Sequence, residues 1–421
     1  MKTKNLRRKA FLVLCGLVAF TQLFAQVKMY EEAVTLPTYK VQPPEKAPIF
    51  FTNGKFQGAS RMTYPLALND QISGERKQQD WKFLVLENEY IKLGITPEIG
   101  GKLYYATDKT TNYNFVYKNN EVKPGNIGMT GAWVSGGIEW CVLHHHRAST
   151  FLPMDYSMEE NEDGSKTIYI GETEPRHGMR WTVGVSVRPG KAYFEAEVSI
   201  YNPTPITNTF LFWANVAAHT NDNYQTIFPP SVQLATFHSK TEFTHWPVST
   251  TTYRGTDYGP EGTDISWWKN VRRSASFFAH DLKEDFMGGY DHGTQTGTVH
   301  IGDHNIVKGA KLWEWGSGPR GQATEGRLTE TSGPYVEIMV GAYSDNQPDY
   351  SWIRPYETKR WKQYWYPIKD IQGFKNANLD AAVNLEAEED NKVFLGYYST
   401  QNLEKAQIIL KNKDEVILKK I

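Results

Sequence analysis

WTVGVSVRPGKAYFEAEVSI, residues 181–200, alternates apolar and polar side chains twice, with a Pro-Gly pair between the two runs. Successive side chains of an extended chain point to opposite faces. Trp181, Val183, Val185 and Val187 therefore share one side of the first run, and Phe194, Ala196, Val198 and Ile200 share one side of the second. Pro189 and Gly190 supply the turn between them. The stretch predicts an antiparallel hairpin with one face in a core and the other in water.

The same period of two recurs at 83–87, 90–95, 102–106, 166–171, 208–217, 297–301, 311–315 and 335–343. No helical stripe of useful length interrupts it, and there is no short repeat. Amphipathic strands in such number between 81 and 375 predict an all-β fold, a large antiparallel β-sandwich, in place of a parallel α/β sheet. Residues 26–80 are rich in proline and read as an irregular segment whose strand or two wraps the sandwich. Beyond 375 the composition changes. NANLDAAVNLE and KAQIILKNKDEVILKKI are charged, aromatic-poor and strand-like, so 376–421 reads as the start of a small C-terminal β-domain. The chain stops just after a strand pattern, which reads as a shortened form of a longer protein with further C-terminal domains.

Residues 1–25 carry Lys2, Lys4, Arg7, Arg8 and Lys9, then the apolar run AFLVLCGLVAF, then TQLFA. This is the pattern of an export signal, and the apolar run is too short for a comfortable membrane span. The expected location is secreted or periplasmic. Removing the segment takes away five basic and no acidic residues, moving the formal charge from -1 to -6. A mildly acidic product is not built for nucleic acid. Of the two cysteines, Cys15 lies in the signal, so Cys141 has no internal disulfide partner.

Aromatic residues form 14% of the chain, with 13 tryptophans, and several stand beside glycine or polar residues. Sugar rings stack their CH faces on indoles while amide and charged side chains bond their hydroxyls, so the mixture suits a carbohydrate partner. The densest stretch is GGIEWCVLHHHRAST, residues 136–150. It is expected to form one wall of a cleft, with Glu139, Trp140 and one or two of His144, His145 and His146 turned inward. On an extended chain, at most two adjacent histidines face one cavity. No other Cys or His pair stands at zinc-like spacing, so no metal or cofactor is assigned, with Ca²⁺ left open. Further candidates are Asn215 and His219 in NTFLFWANVAAHTND, Trp313 and Glu314 in LWEWGSG, and Glu337 and Asp345 in PYVEIMVGAYSDNQPD. Glu337 interrupts an apolar strand. A carboxylate so placed either pairs with a buried cation or is kept at a raised pKa for acid-base work.

Taken together, YIKLGITPEIGGKLYYATDKTTNYNFVYKNN, NPTPITNTFLFWANVAAHTND and YVEIMVGAYSDNQPD, in that order, resemble the galactose mutarotase-like superfamily, the aldose 1-epimerase type of β-supersandwich. Over about 30–385 the chain is most similar to an uncharacterised family of secreted bacterial proteins often followed by tetratricopeptide repeats. The resemblance implies that His219 stands at the general-acid position and Glu337 at the general-base position. GGIEWCVLHHHR takes the place of a loop that gives a second substrate histidine, without the histidine-glycine-glycine pattern of the epimerases. The implied activity is proton transfer at an anomeric centre, most naturally in glycan breakdown. Glycosidic cleavage with Glu139 or Glu314 as second carboxylate, aldose epimerisation proper, and a non-catalytic carbohydrate-binding domain are the alternatives.

Overall fold

In the computed structural model, which describes residues 26–44 and 65–420, Arg180–Val187 and Phe194–Tyr201 pair antiparallel from Arg180 opposite Tyr201 to Val187 opposite Phe194. Gly190 takes φ 72° in the connection, a region open to glycine at no steric cost. All eight apolar side chains that the alternation turns inward are buried. The hairpin lies in an eight-stranded sheet ordered Tyr224–Ile227, Phe286–Asp291, Thr296–Ile301, Thr358–Lys369, Phe194–Tyr201, Arg180–Val187, Lys166–Thr173 and Asp155–Glu160.

A twelve-stranded sheet covers it. Its order is Lys28–Val41, Ile72–Glu87, Ile91–Thr96, Lys102–Asp108, Ile138–Val142, Phe212–His219, Tyr335–Ala342, Gly309–Glu314, Ala275–Ala279, Leu234–Thr236 and Phe243–His245, with Tyr113–Val116 paired to Lys102–Asp108. The two sheets bury one continuous apolar layer between them. Trp140 of the large sheet meets Trp365 of the small one edge to face at 6.3 Å, and Phe212 meets Trp361 likewise at 4.8 Å. The architecture is the all-β antiparallel sandwich the alternation predicts.

Lys28–Val41 and Ile72–Glu87 differ from the irregular wrapping segment expected for 26–80. They are regular strands paired from Lys28 opposite Glu87 to Val41 opposite Ile72, and they extend the edge of the large sheet. In the first strand the more covered positions carry Glu32 and Thr38 beside Val34 and Leu36, and in the second 74–80 are exposed throughout, which blurs the alternation that marks a strand in sequence. Pro37 also misleads, yet it is tolerated here. Its carbonyl accepts from Val122 N on the outer side, so the N–H it lacks would have pointed outward and not into the ladder. The expected export signal, 1–25, and residues 45–64 lie outside the described residues.

C-terminal to the sandwich, Asn376–Ala377, Ala381–Ala387 and Val393–Ser399 form a three-stranded sheet, and Ile409–Lys411 pairs with Ile417–Lys420. Ala377 and Ala382 share an apolar cluster with Tyr290, Val299, Tyr366 and Ile368 on the outer side of the small sheet. The Tyr366 hydroxyl donates to Asn378 O at 2.9 Å, and Ala192 N donates to Thr400 O at 2.7 Å. Among the described residues the one α-helix is Pro319–Glu325, and no helix is long and apolar enough to cross a membrane.

Candidate functional site

Four neighbouring strands of the large sheet, Ile138–Val142, Phe212–His219, Tyr335–Ala342 and Gly309–Glu314, carry polar side chains on the face turned away from the small sheet. Their register sets Glu139 opposite Asn215, Ala217 opposite Glu337, Glu337 opposite Trp313, Met339 opposite Lys311 and Tyr335 opposite His219. Because the side-chain period is two, these odd-numbered residues share the outer face, and their even-numbered neighbours fill the core.

After Val142 the chain turns sharply, with Leu143 at φ 66° and His146 at φ 47°. The turn folds the histidines back over their own strand, so the extended-chain expectation for them does not apply. His145 and His146 end with ring centroids 4.0 Å apart. Glu139 binds this turn: its Oε2 lies 2.9 Å from His146 Nδ1 and accepts from Trp133 Nε1 at 2.6 Å, while Oε1 accepts from Thr150 Oγ1 at 2.7 Å. Burial pushes the Glu139 carboxyl up, but His146, Lys102 and the Thr150 bond outweigh it and hold the group well below the usual carboxylate range. Lys102 is itself buried, donating to Val134 O at 2.7 Å and Gly136 O at 2.6 Å, and desolvation lowers its ammonium to about 8. Gly137, at φ 64°, fits here because a Cβ would collide with the Leu103 carbonyl oxygen.

Glu337 lies beside this group. Burial raises its pKa against the opposing pull of His146 and Lys311, and Glu139 adds to the rise. Among the described residues no hydrogen bond reaches its carboxylate. Lys311, next along the face, is lowered to about 7 by burial despite the charge of Glu337. Its ammonium donates to Gln347 Oε1 at 2.6 Å and lies 3.4 Å from His238 Nε2. Gln347 Nε2 lies 3.1 Å from His145 Nδ1. Glu139, His146, Lys102, Glu337, Lys311, Gln347 and His145 thus form one buried polar cluster on an otherwise aromatic face.

The other sequence candidates separate. Asn215 lies on this face, opposite Glu139, with both amide atoms buried and unpartnered. Trp313, half-buried, borders Glu337 and meets Trp315 at 4.4 Å. His219 stands at the strand end against Tyr117, 4.3 Å between centroids, and burial takes its imidazole down to about 4 against the pull of Asp291. His144 leaves the cluster for Tyr350, 3.2 Å from its hydroxyl. Trp140 and Glu314, expected at the cleft, occupy even positions and face the core. Trp140 packs on Trp365, and Glu314 has neither carboxyl oxygen partnered, burial and nearby Glu325 raising its pKa far above the usual range. Asp345, half-exposed, pairs with Lys240 at 2.9 Å, and the neighbouring Gln347 is the residue that turns inward. Lys102 and Lys311 went unnoticed in the sequence although each interrupts a strand as Glu337 does, in GGKLYYA and GAKLWEW.

The family model described as a domain of unknown function, DUF5107, matches residues 59–368. The chain belongs to the DUF5107 family. The match ends at the last long strand of the sandwich, and residues 376–421 match the second domain of YphG-like protein. Among solved structures, a TPR-domain containing protein from Parabacteroides distasonis superposes on 88% of the chain with a TM-score of 0.70 at 23% identity. The DUF5107 chain spans 60% of that longer protein. A protein from Klebsiella pneumoniae, provisionally named an aldose 1-epimerase, superposes on 69% of this chain and 80% of its own, with a TM-score of 0.50 at 11% identity. A galactose mutarotase-like protein from Lactobacillus casei covers 68% of this chain and 100% of its own, at TM-score 0.45 and 10% identity. The fold is therefore the β-sandwich shared with the Parabacteroides and Klebsiella proteins, and at these identities the likeness extends to the fold alone.

Proposed function

We propose that this protein is exported and handles carbohydrate on the outer face of its large sheet, with Glu337 as the proton acceptor at an anomeric centre. The observation that carries the reading is the state of Glu337: buried at the middle of a polar cluster, free of hydrogen bonds from the described residues and raised in pKa. A carboxylate kept unpaired in such surroundings is suited to taking a proton from a substrate. In this scheme Glu337 removes the proton of the anomeric hydroxyl and His219, a neutral imidazole near pH 7, donates its N–H proton to the ring oxygen. The ring bond breaks, and re-closure on either face returns both protons. Trp313 offers an apolar platform beside Glu337, and Asn215 offers amide contacts.

The resemblance to aldose epimerases supports the roles of His219 and Glu337, and the export pattern of residues 1–25 supports a task in glycan breakdown outside the cytoplasm. One observation favours a second reading, a non-catalytic carbohydrate-binding domain: the charged neighbours that shift Glu337 are His146, Lys311, Glu139 and Lys102, and His219 is not one of them. The test is NMR exchange between the anomers of glucose and galactose, run beside reducing-sugar release from a glycan panel, with wild type and Glu337→Gln. Exchange or release by the wild type alone supports the catalytic assignment. Glycan binding by both proteins without turnover by either supports the binding domain and removes Glu337 from a chemical role.

A further inference from the structure

The turn that carries the histidines also brings them to the free thiol. The Sγ of Cys141 and one ring nitrogen from each of His145 and His146 all lie within 4.8 Å of one another, and all three residues are buried. We propose that Cys141, His145 and His146 form a site for a thiophilic transition metal, with Zn²⁺ the best match. The proposal does not depend on the carbohydrate reading.

One feature of the surroundings supports it. Glu139 Oε2 lies 2.9 Å from His146 Nδ1, the arrangement in which a carboxylate fixes an imidazole with Nε2 as the donor to a metal. His145 Nδ1 accepts from Gln347 Nε2 at 3.1 Å, so either ring nitrogen of His145 reaches a metal only when this bond is given up.

Donor chemistry selects the ion. One thiolate and two imidazoles suit Zn²⁺ or Cu⁺ and do not suit Ca²⁺ or Mg²⁺, which require oxygen ligands. Ligand bonds of about 2.0–2.3 Å in tetrahedral geometry place donor atoms roughly 3.5 Å apart, so atoms that already lie within 4.8 Å of one another need to close by no more than about 1.3 Å on capture. Three protein ligands leave a fourth position for water or a substrate oxygen. Binding converts Cys–SH to a metal-bound thiolate and releases that one proton to solvent.

The test is titration of chelator-treated, reduced full-length protein with Co²⁺, followed by Zn²⁺ competition. The expected result is one Co²⁺ per chain with a near-ultraviolet thiolate-to-cobalt charge-transfer band that Zn²⁺ abolishes. Cys141→Ser should lose the band, and Glu139→Gln should weaken binding by about 10- to 100-fold. Far-UV circular dichroism and melting of each variant establish folding, and His145→Ala serves as an independent ligand deletion if Cys141→Ser fails to fold. Asp285, Asp303 and His304 form a second, largely exposed group of donors, and His304→Ala controls for it. No stoichiometric binding by the wild type would overturn the proposal. So would binding without the thiolate band, or binding lost in His304→Ala and retained in Cys141→Ser.

Discussion

Glu139 and Trp140 are consecutive in the chain and belong to different environments: the carboxylate bonds His146 on the outer face, and the indole packs on Trp365 between the sheets. Replacements at the two positions should fail in different ways. Trp140→Ala opens a cavity in the sandwich core and should cost about 3–5 kcal/mol of stability, read as a lower denaturation midpoint. The outer cluster does not contain the indole, so any glycan binding retained by folded Trp140→Ala should match that of the wild type.

Glu139→Gln should show its effect in the dependence of stability on pH. The carboxyl is held below its unfolded value of about 4.3. The stabilisation it contributes is therefore complete above that pH and is lost as pH falls through the folded value. Melting temperatures of wild type and Glu139→Gln should differ by a constant amount from pH 6 to 8 and converge toward pH 2. A gap that persists at pH 2 would show that the lost contacts, and not the charge, set the difference.

Glu314 behaves in the opposite sense. Its folded pKa is far above the unfolded one, so keeping it uncharged opposes folding increasingly as pH rises above about 4.3. Glu314→Leu should raise the melting temperature at pH 7, by an amount that disappears below pH 4, and should leave any sugar turnover unchanged. A loss of turnover with intact folding would return Glu314 to the chemistry.

Lys311 is an ammonium lowered to about 7. Between that value and the unfolded value of about 10.4 the unfolded chain holds more protons, so wild-type stability gains with pH across this window. The stability of Lys311→Met relative to wild type should accordingly fall from pH 6 to pH 10. A flat difference in chemical denaturation would show that Lys311 titrates normally in the folded chain.

If Glu337 is the base, its ionised form is the active one. Turnover should decline on the acid side with a midpoint above the ordinary glutamate value of about 4.3, and Glu337→Gln should lower the rate by about 100- to 10,000-fold. An acid limb that survives in Glu337→Gln would assign the titration to another group.

The sandwich was legible from its hairpin: the stretch 181–200 alternates cleanly and carries its pairing partner and its turn within twenty residues. Lys28–Val41 was less legible, since its covered positions carry Glu32 and Thr38 beside Val34 and Leu36, which blurs the alternation. Of the cluster, Glu337 stood out as a carboxylate inside an apolar run, and Glu139 through the dense polar and aromatic stretch 136–150. Lys102 and Lys311 obey the same rule, and Gln347 comes inward only through the loop after Tyr343, at φ 64°. Glu314 and Trp140 were misplaced by one step of the pleat, the step that decides between core and cleft. The approach of Cys141 to His145 and His146 depends on two left-handed residues, Leu143 and His146, for which the local sequence holds no glycine.

Pro37 bears on how molecules of this protein behave in company. The strand Lys28–Val41 ends the large sheet, and a second molecule aligning against it would seek a continuous ladder of donors and acceptors. It would instead find the outward donor missing at Pro37 and the bonding groups of Pro37 and Tyr39 already engaged by Val122. Among the described residues, templated polymerisation along this edge strand is interrupted where Pro37 and Val122 meet.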